Sequence, residues 1–259
     1  MWGAALLLAL DAGRLWHQAW SFYGGFEPIT LELAGTIANQ TSWGTGWKMQ
    51  VGAALAAVVA FGMARRGRSF AWPFVAVCVV ANLVARPLTG HAVEQGSFLS
   101  LPAILQMVHV SGAALWLGTL LALAAVGLRR SAELEAGERA RVVAALVNGF
   151  SPLALAAATA LFVAGAATSF LYLGSFEAAY GTVYGRVLLG KLAAFVAVLA
   201  LGYHNWRRTR PRLDAALEDP LLAVGARAHL VRSAGAELAL AALVLLLTAI
   251  LVALPMPMG

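Results

Sequence analysis

Ala144–Leu173 reads AALVNGFSPLALAAATALFVAGAATSFLYL, with no Asp, Glu, Lys or Arg in it. A helix rises about 1.5 Å per residue, so about 20 apolar residues cross a hydrocarbon core. This stretch is long enough, and its apolar residues are continuous rather than alternating, which favours a spanning helix over a barrel strand. Working outward, five more segments share that character, at roughly 46–64, 70–89, 101–128, 182–206 and 226–253. A seventh, at roughly 2–24, carries Asp11, Arg14 and His17. Asp11 and Arg14 are spaced i,i+3, so they can pair on one face and lower the cost of burying both. The predicted fold class is all-α: a polytopic transmembrane helical bundle of about seven spans, forming a single integral membrane domain over residues 1–259.

Composition agrees. The chain is 61% hydrophobic and 12% charged, whereas a soluble domain carries about 25% charged residues. A water-facing surface cannot be covered with so few charges, which excludes a soluble enzyme and a disordered chain. The net charge of +6 comes from 18 Lys and Arg against 12 Asp and Glu. These basic residues lie in short loops, where they set topology rather than bind nucleic acid. One set of loops holds Arg65, Arg66 and Arg68, then Arg129, Arg130, Arg139 and Arg141, then Arg207, Arg208, Arg210 and Arg212. The alternate set, near 25–45, 90–100 and 174–181, holds no Lys or Arg. The positive-inside rule puts the Arg loops in the cytoplasm and the tail Leu254–Gly259 outside. The N-terminus lacks the basic region of a signal peptide. The one cysteine, Cys78, rules out a disulfide framework and a CxxC motif and reads as a small core residue.

An internal repeat is visible. Thr41-Ser42-Trp43-Gly44 opens one span and Thr182-Val183-Tyr184-Gly185 opens another with the same direction. Their offset of 141 residues (182 minus 41) also aligns span 2–24 with span 144–173. It aligns span 101–128 with a helix upstream of Met1. A four-plus-four, eight-span plan lacking its first helix is the expectation, and parallel repeats are a known transporter architecture.

Placed on this topology, His17, Met49, His91, Met107, His109, Met256 and Met258 all fall toward the outer leaflet, while Met63, His204 and His229 fall at the inner face. Thioether and imidazole donors together suit Cu(I), and neutral ligands avoid burying several carboxylates in lipid. A structural zinc site fits less well, because it needs thiolates or four His and Cys ligands. A methionine in an apolar helix is ordinarily packing, and a histidine near the interface is ordinarily an anchor. His109 stands out because it lies well inside a span, where an ionisable side chain is costly. Lys191 and Glu237 also lie deep in consecutive spans, either as a structural ion pair or as a gate. Asn39-Gln40-Thr41 fits the glycosylation sequon, a common chance match. Trp43, Trp47, Trp72, Trp116 and Trp206 read as interface anchors or packing. No Walker loop, GxGxxG, GxSxG or HExxH occurs, so an ATP-driven pump or familiar hydrolase is not expected.

An ordered series of motifs runs along the chain: Thr89-Gly90-His91-Ala92, His109-Val110-Ser111-Gly112 running on through Trp116-Leu117-Gly118, Phe150-Ser151-Pro152 opening the next span, Thr182-Val183-Tyr184-Gly185-Arg186 with Lys191, Asn205 with its basic run, and Arg232-Ser233…Glu237 ending at Leu254-Pro255. This series resembles the copper resistance protein D family. The resemblance covers roughly 41–255. It implies copper handling, often uptake across the bacterial inner membrane, with His91 and His109 as the leading ligands. Trp116, Gly118, Tyr184, Gly185, Lys191 and Glu237 would be scaffold or gate positions. The family usually has eight spans and seven are visible here, so Met1 is either a misplaced start or the chain lacks that helix. The tail methionines Met256 and Met258 do not come from the resemblance.

The sequence therefore predicts a non-enzymatic inner-membrane protein that captures copper on its periplasmic side through His and Met ligands and passes it inward between helices. Membrane lipid and a periplasmic copper-binding protein are its expected partners, and nucleic acid is not. A different class, a heme b membrane oxidoreductase with His17, His91 or His109 as axial ligands, is the alternative. A third is an assembly partner that binds copper without moving it.

Overall fold

The computed structural model describes residues 2–90, 99–173, 175–209, 211 and 220–254, and every regular element among them is helical. The chain divides into two compact units, Met1–Val110 and Ser111–Gly259. The first holds α1 (Trp2–Tyr23), α2 (Leu31–Gln40), α3 (Ser42–Arg65), α4 (Ala71–Val84), a 3-10 turn (Arg86–Thr89) and the start of α5 (Leu101–Ala122). The second takes the rest of α5, a π turn (Leu123–Gly127), α6 (Leu128–Ser131), α7 (Ala136–Leu173), α8 (Phe176–Gly181), α9 (Val183–His204), a π turn (Asn205–Thr209) and α10 (Pro220–Ala253).

Five stretches among the described residues are long and apolar enough to cross a membrane: Ser42–Arg65, Leu101–Ser131, Gly137–Leu173, Val183–Arg208 and Ala228–Ala253. The chain is a multi-pass membrane protein. α4 is apolar but has 14 residues, and the 3-10 turn after it carries the segment to Thr89. α1 has 22 residues but is not among the five, because Asp11, Arg14, His17 and Gln18 dilute its apolar run. Bulky residues such as Leu155, Phe170 and Val252 are 71%, 78% and 80% exposed. In water such faces would be a liability, whereas acyl chains cover them at no cost.

α3 turns into α4 through Arg66-Gly67-Arg68. Gly67 sits at φ +84°, the left-handed conformation that a Cβ disfavours. The Arg66 and Arg68 amides donate to Met63 O and the Gly67 amide donates to Ala64 O, which caps the helix end.

The two T-x-aromatic-G motifs fold alike. Thr41 is extended (φ −117°, ψ 153°), and so is Thr182 (φ −100°, ψ 155°). Each threonine hydroxyl accepts from the glycine amide three residues on, Gly44 at 2.9 Å and Gly185 at 3.0 Å. Each also donates back to a carbonyl of the preceding short helix, Ile37 O at 2.7 Å and Ala178 O at 2.6 Å. The glycines are needed for space. A Cβ on Gly44 would run into the carbonyls of Ile37 and Ala38, and one on Gly185 into those of Ala178 and Ala179. The short helix and the span after it thus meet backbone to backbone in both units.

The first unit packs Ala19, Ala34 and Ile37 between α1 and α2, with Leu15, Tyr23, Ile29 and Trp43 around them. The second has two cores. One joins Leu123, Leu128, Val143, Val147, Leu230 and Ala234. The other centres on Trp116, Leu120, Ala157, Leu161, Phe195, Val198 and Ala241, with Trp116 edge-on to Phe195 at 6.2 Å. α7 corrects one expectation. Phe150-Ser151-Pro152 does not open a span: the helix starts at Ala136 and runs through Pro152. Residue 152 has no N–H, so the Asn148 carbonyl lacks its intrahelical donor; separately, the Ser151 hydroxyl donates to Val147 O at 2.8 Å.

Candidate functional site

The first unit is organised around a buried polar cluster that joins α1, α3 and the 3-10 turn. Asp11 and Arg14 lie 3.5 Å apart, the i,i+3 pair read from the sequence. Asp11 is buried, and its Oδ2 has no hydrogen-bond partner among the described residues. Arg14 donates to Gln50 Oε1 at 2.6 Å and to Thr89 Oγ1 at 2.9 Å. Gln50, fully buried, donates to Ala85 O at 2.9 Å and to Thr89 Oγ1 at 3.0 Å. Asn82 donates to the Gln50 carbonyl at 2.9 Å. Trp43 donates to Thr89 O at 3.1 Å, and Trp47 donates to Asp11 O at 2.8 Å. The Arg14 guanidinium lies 6.0 Å from the Trp43 ring centre, within cation–π range.

In a low dielectric each of these groups would be costly alone, and satisfied together they fix one geometry. The point they fix is Thr89, which takes three of the bonds. The next residues are Gly90 and His91. Sequence reading found the Asp11–Arg14 pair and the Thr89 motif but missed Gln50 and Asn82. One signal was available: Gln50 lies 141 residues before Lys191 (191 minus 50), at the repeat-equivalent position.

The seven candidate ligands fare unevenly. His91, Met256 and Met258 lie outside the described residues. His17 is exposed, its ring 6.3 Å from Trp20 of the same helix. Met49 is 54% exposed, because Gln50 beside it takes the inward direction. Met107 and His109 are half-buried, and the Nδ1 of His109 is shielded from solvent. Among the described residues no three His, Cys, Asp or Glu side chains are grouped closely enough to hold a metal ion.

In the second unit, a cavity of about 870 Å³ lies among α5, α7, α9 and α10. Its walls are mainly apolar, with Trp116 and Phe162 among them, and Asn148, Ser151, Asn205 and Glu237 supply polar groups. Asn205 donates to the carboxylate of buried Glu237. The Oδ1 of Asn148 is buried with no hydrogen-bond partner among the described residues. The expected Lys191–Glu237 ion pair does not form. Asn205 is the partner of Glu237, and Lys191 lies 14 residues earlier on the helix (205 minus 191), about 21 Å away at helical rise. α9 and α10 run antiparallel, and it is Asn205, at the end of α9, that meets Glu237. Beyond the cavity, at the end that carries Arg207 and Arg208, the rings of His204 and His229 lie 6.3 Å apart and within 24° of parallel.

Comparison with known proteins follows the same division of the chain. Residues 1–101 match the family model described as copper resistance protein D-like, N-terminal domain, and residues 144–251 match that of copper resistance protein D. Over 269 residues the chain is 29% identical to copper transport protein CutJ of Bacillus subtilis (strain 168), which covers 98% of this chain and 44% of that protein. The chain thus spans less than half the length of that curated relative. No solved structure matches it.

Proposed function

The chain belongs to the copper resistance protein D family, and from that premise we propose that it is a non-enzymatic carrier that moves copper across the bacterial inner membrane. Two family models matching in chain order, one in each half, carry this reading. Copper is captured on the periplasmic side, from a periplasmic copper-binding protein, by imidazole and thioether donors. His91 and His109 lead this set, supported by Met107, Met49, His17, Met256 and Met258. The C-terminus is periplasmic.

The polar cluster of the first unit supports His91 as a ligand. Arg14, Gln50 and Trp43 hold Thr89 from three directions, so the chain leaves for His91 from a fixed point. A ligand on a fixed anchor loses little freedom when it binds. Neutral donors favour Cu(I) and hold it weakly enough to release it, as passage requires. No energy source is needed if the ion runs downhill through weak sites.

Uptake of copper by proteoliposomes containing the full chain tests the proposal. Faster uptake than in empty liposomes is expected, with loss of most of the added rate in His91→Ala and His109→Ala at matched protein content. Uptake no faster than in empty liposomes would reject transport. Uptake that persists unchanged in both variants would reject these ligands.

A further inference from the structure

The reading above leaves His204 and His229 unused. They stand on consecutive long helices, α9 and α10, and are the only two histidines of the second unit. A ring-centre separation of 6.3 Å is too wide for face-to-face stacking contact. It is the spacing that two imidazoles adopt about a shared ion: two metal–nitrogen bonds of about 2.0 Å, with the reach from each nitrogen to its ring centre, span about 6 Å. The site can be entered, since His204 is exposed and His229 half-buried.

A polar stripe leads to this pair. His229, Ser233 and Glu237 are spaced i, i+4, i+8 and therefore share one face of α10. Glu237 lines the cavity beside Asn205 and Asn148. Ser233 is buried, its hydroxyl without a hydrogen-bond partner among the described residues. Eight residues of helix, about 12 Å, thus join a buried carboxylate to an accessible imidazole through a hydroxyl in an otherwise apolar wall. Of these three, His229 carries the donor that suits a soft cation.

We propose that His204 and His229 form a second metal site, which takes Cu(I) as a two-coordinate ion at the Arg207–Arg208 end of the chain. This site rests on the copper reading and deepens it by giving the ion a place from which to leave. Arg207 and Arg208 raise the local positive potential and so keep affinity modest, which suits release. The Arg207 guanidinium is turned along its own helix to the Tyr203 hydroxyl, 2.9 Å away. Imidazole binds a metal as a neutral donor, so the ion keeps its single charge.

The test is Cu(I) titration of the purified full chain in detergent against a chromophoric Cu(I) chelator, with copper K-edge absorption on the loaded protein. His204→Ala and His229→Ala should each bind one copper fewer than the parent chain, and the double variant no fewer than either single one. The two-coordinate edge feature should weaken in step. Ser233→Ala should leave the stoichiometry unchanged and slow uptake into proteoliposomes. If the parent and both histidine variants bind the same number of ions, the second site is overturned while the copper reading stands. A parent chain that binds no Cu(I) would overturn both.

Discussion

Gln50→Leu is the sharpest test of how the first unit holds its site. The side chain is wholly buried and makes three hydrogen bonds: one accepted from Arg14 at 2.6 Å, one donated to Ala85 O at 2.9 Å and one donated to Thr89 Oγ1 at 3.0 Å. Leucine has nearly the same volume, so packing changes little and the loss is polar. A bond to a charged group contributes about 1.5–3 kcal/mol and a neutral one about 1 kcal/mol in soluble proteins. Side-chain bonds within membranes average about 0.6 kcal/mol. Arg14 keeps Asp11 and Thr89, so its charge is not abandoned. The expected loss is therefore about 2–4 kcal/mol, read as the shift in reversible unfolding of the full chain in mixed micelles. Gln50→Glu should fall between, since it keeps the Arg14 contact but cannot donate to Ala85 O. A Gln50→Leu loss below about 0.5 kcal/mol would show that the cluster does not fix Thr89, and the argument for His91 would lose its anchor.

Gly44→Ala and Gly185→Ala should each cost about 1–3 kcal/mol through overpacking, because the new methyl meets main-chain carbonyls that cannot move aside; thermal unfolding in detergent checks both, and Gly35→Ala, with open space at its Cβ, is the control. A double-mutant cycle on Lys191→Met and Glu237→Gln should give a coupling energy near zero, within the ~0.3–0.5 kcal/mol seen for independent sites; a coupling above 1 kcal/mol would restore the ion pair. The repeat-equivalent exchange should be one-sided: Gln50→Lys sets a cation against Arg14 and should prevent accumulation of folded protein, whereas half-buried Lys191→Gln should accumulate and unfold like the parent chain.

Long-range order was legible where it rests on solvent. Apolar runs at 101–128, 182–206 and 226–253 became helices close to those bounds, because lipid leaves a backbone no other way to satisfy its hydrogen bonds. Contacts between helices were not legible. The Lys191–Glu237 pairing assumed equal depth in two consecutive spans, but α10 starts at Pro220 and the contact of Glu237 with Asn205 sets the register. Phe150-Ser151-Pro152 stands at a span opening only in the family resemblance, whereas the apolar run itself starts at Ala144. The helix continues through Pro152 all the same, with the Asn148 carbonyl left without its intrahelical donor. The four described ligand candidates show the same limit, since helix face cannot be read from sequence. Met49 and Gln50 are adjacent, and their order around α3 decides which of them enters the unit.

The repeat ties these observations together. At the two junctions the chain uses the same atoms: a threonine hydroxyl, a glycine amide and the carbonyls of a short preceding helix. Both spans therefore leave their junction along the same local course, and residue 50 and residue 191 lie nine residues beyond Thr41 and Thr182 (50 minus 41, 191 minus 182). In the first unit that position holds an uncharged amide, which can donate and accept at once and so closes a cluster around Arg14. In the second it holds a lysine, which can only donate and has no ion-pair partner among the described residues; the acid of that unit, Glu237, is held by Asn205 instead. One backbone plan thus carries two chemistries. The first unit ties Arg14, Gln50 and Thr89 to one another and leaves Asp11 Oδ2 without a partner among the described residues, whereas in the second Asn148 Oδ1 stands unsatisfied along a cavity. An orphaned acceptor such as Asn148 Oδ1 costs about 1–3 kcal/mol, a cost that copper on the proposed path would offset.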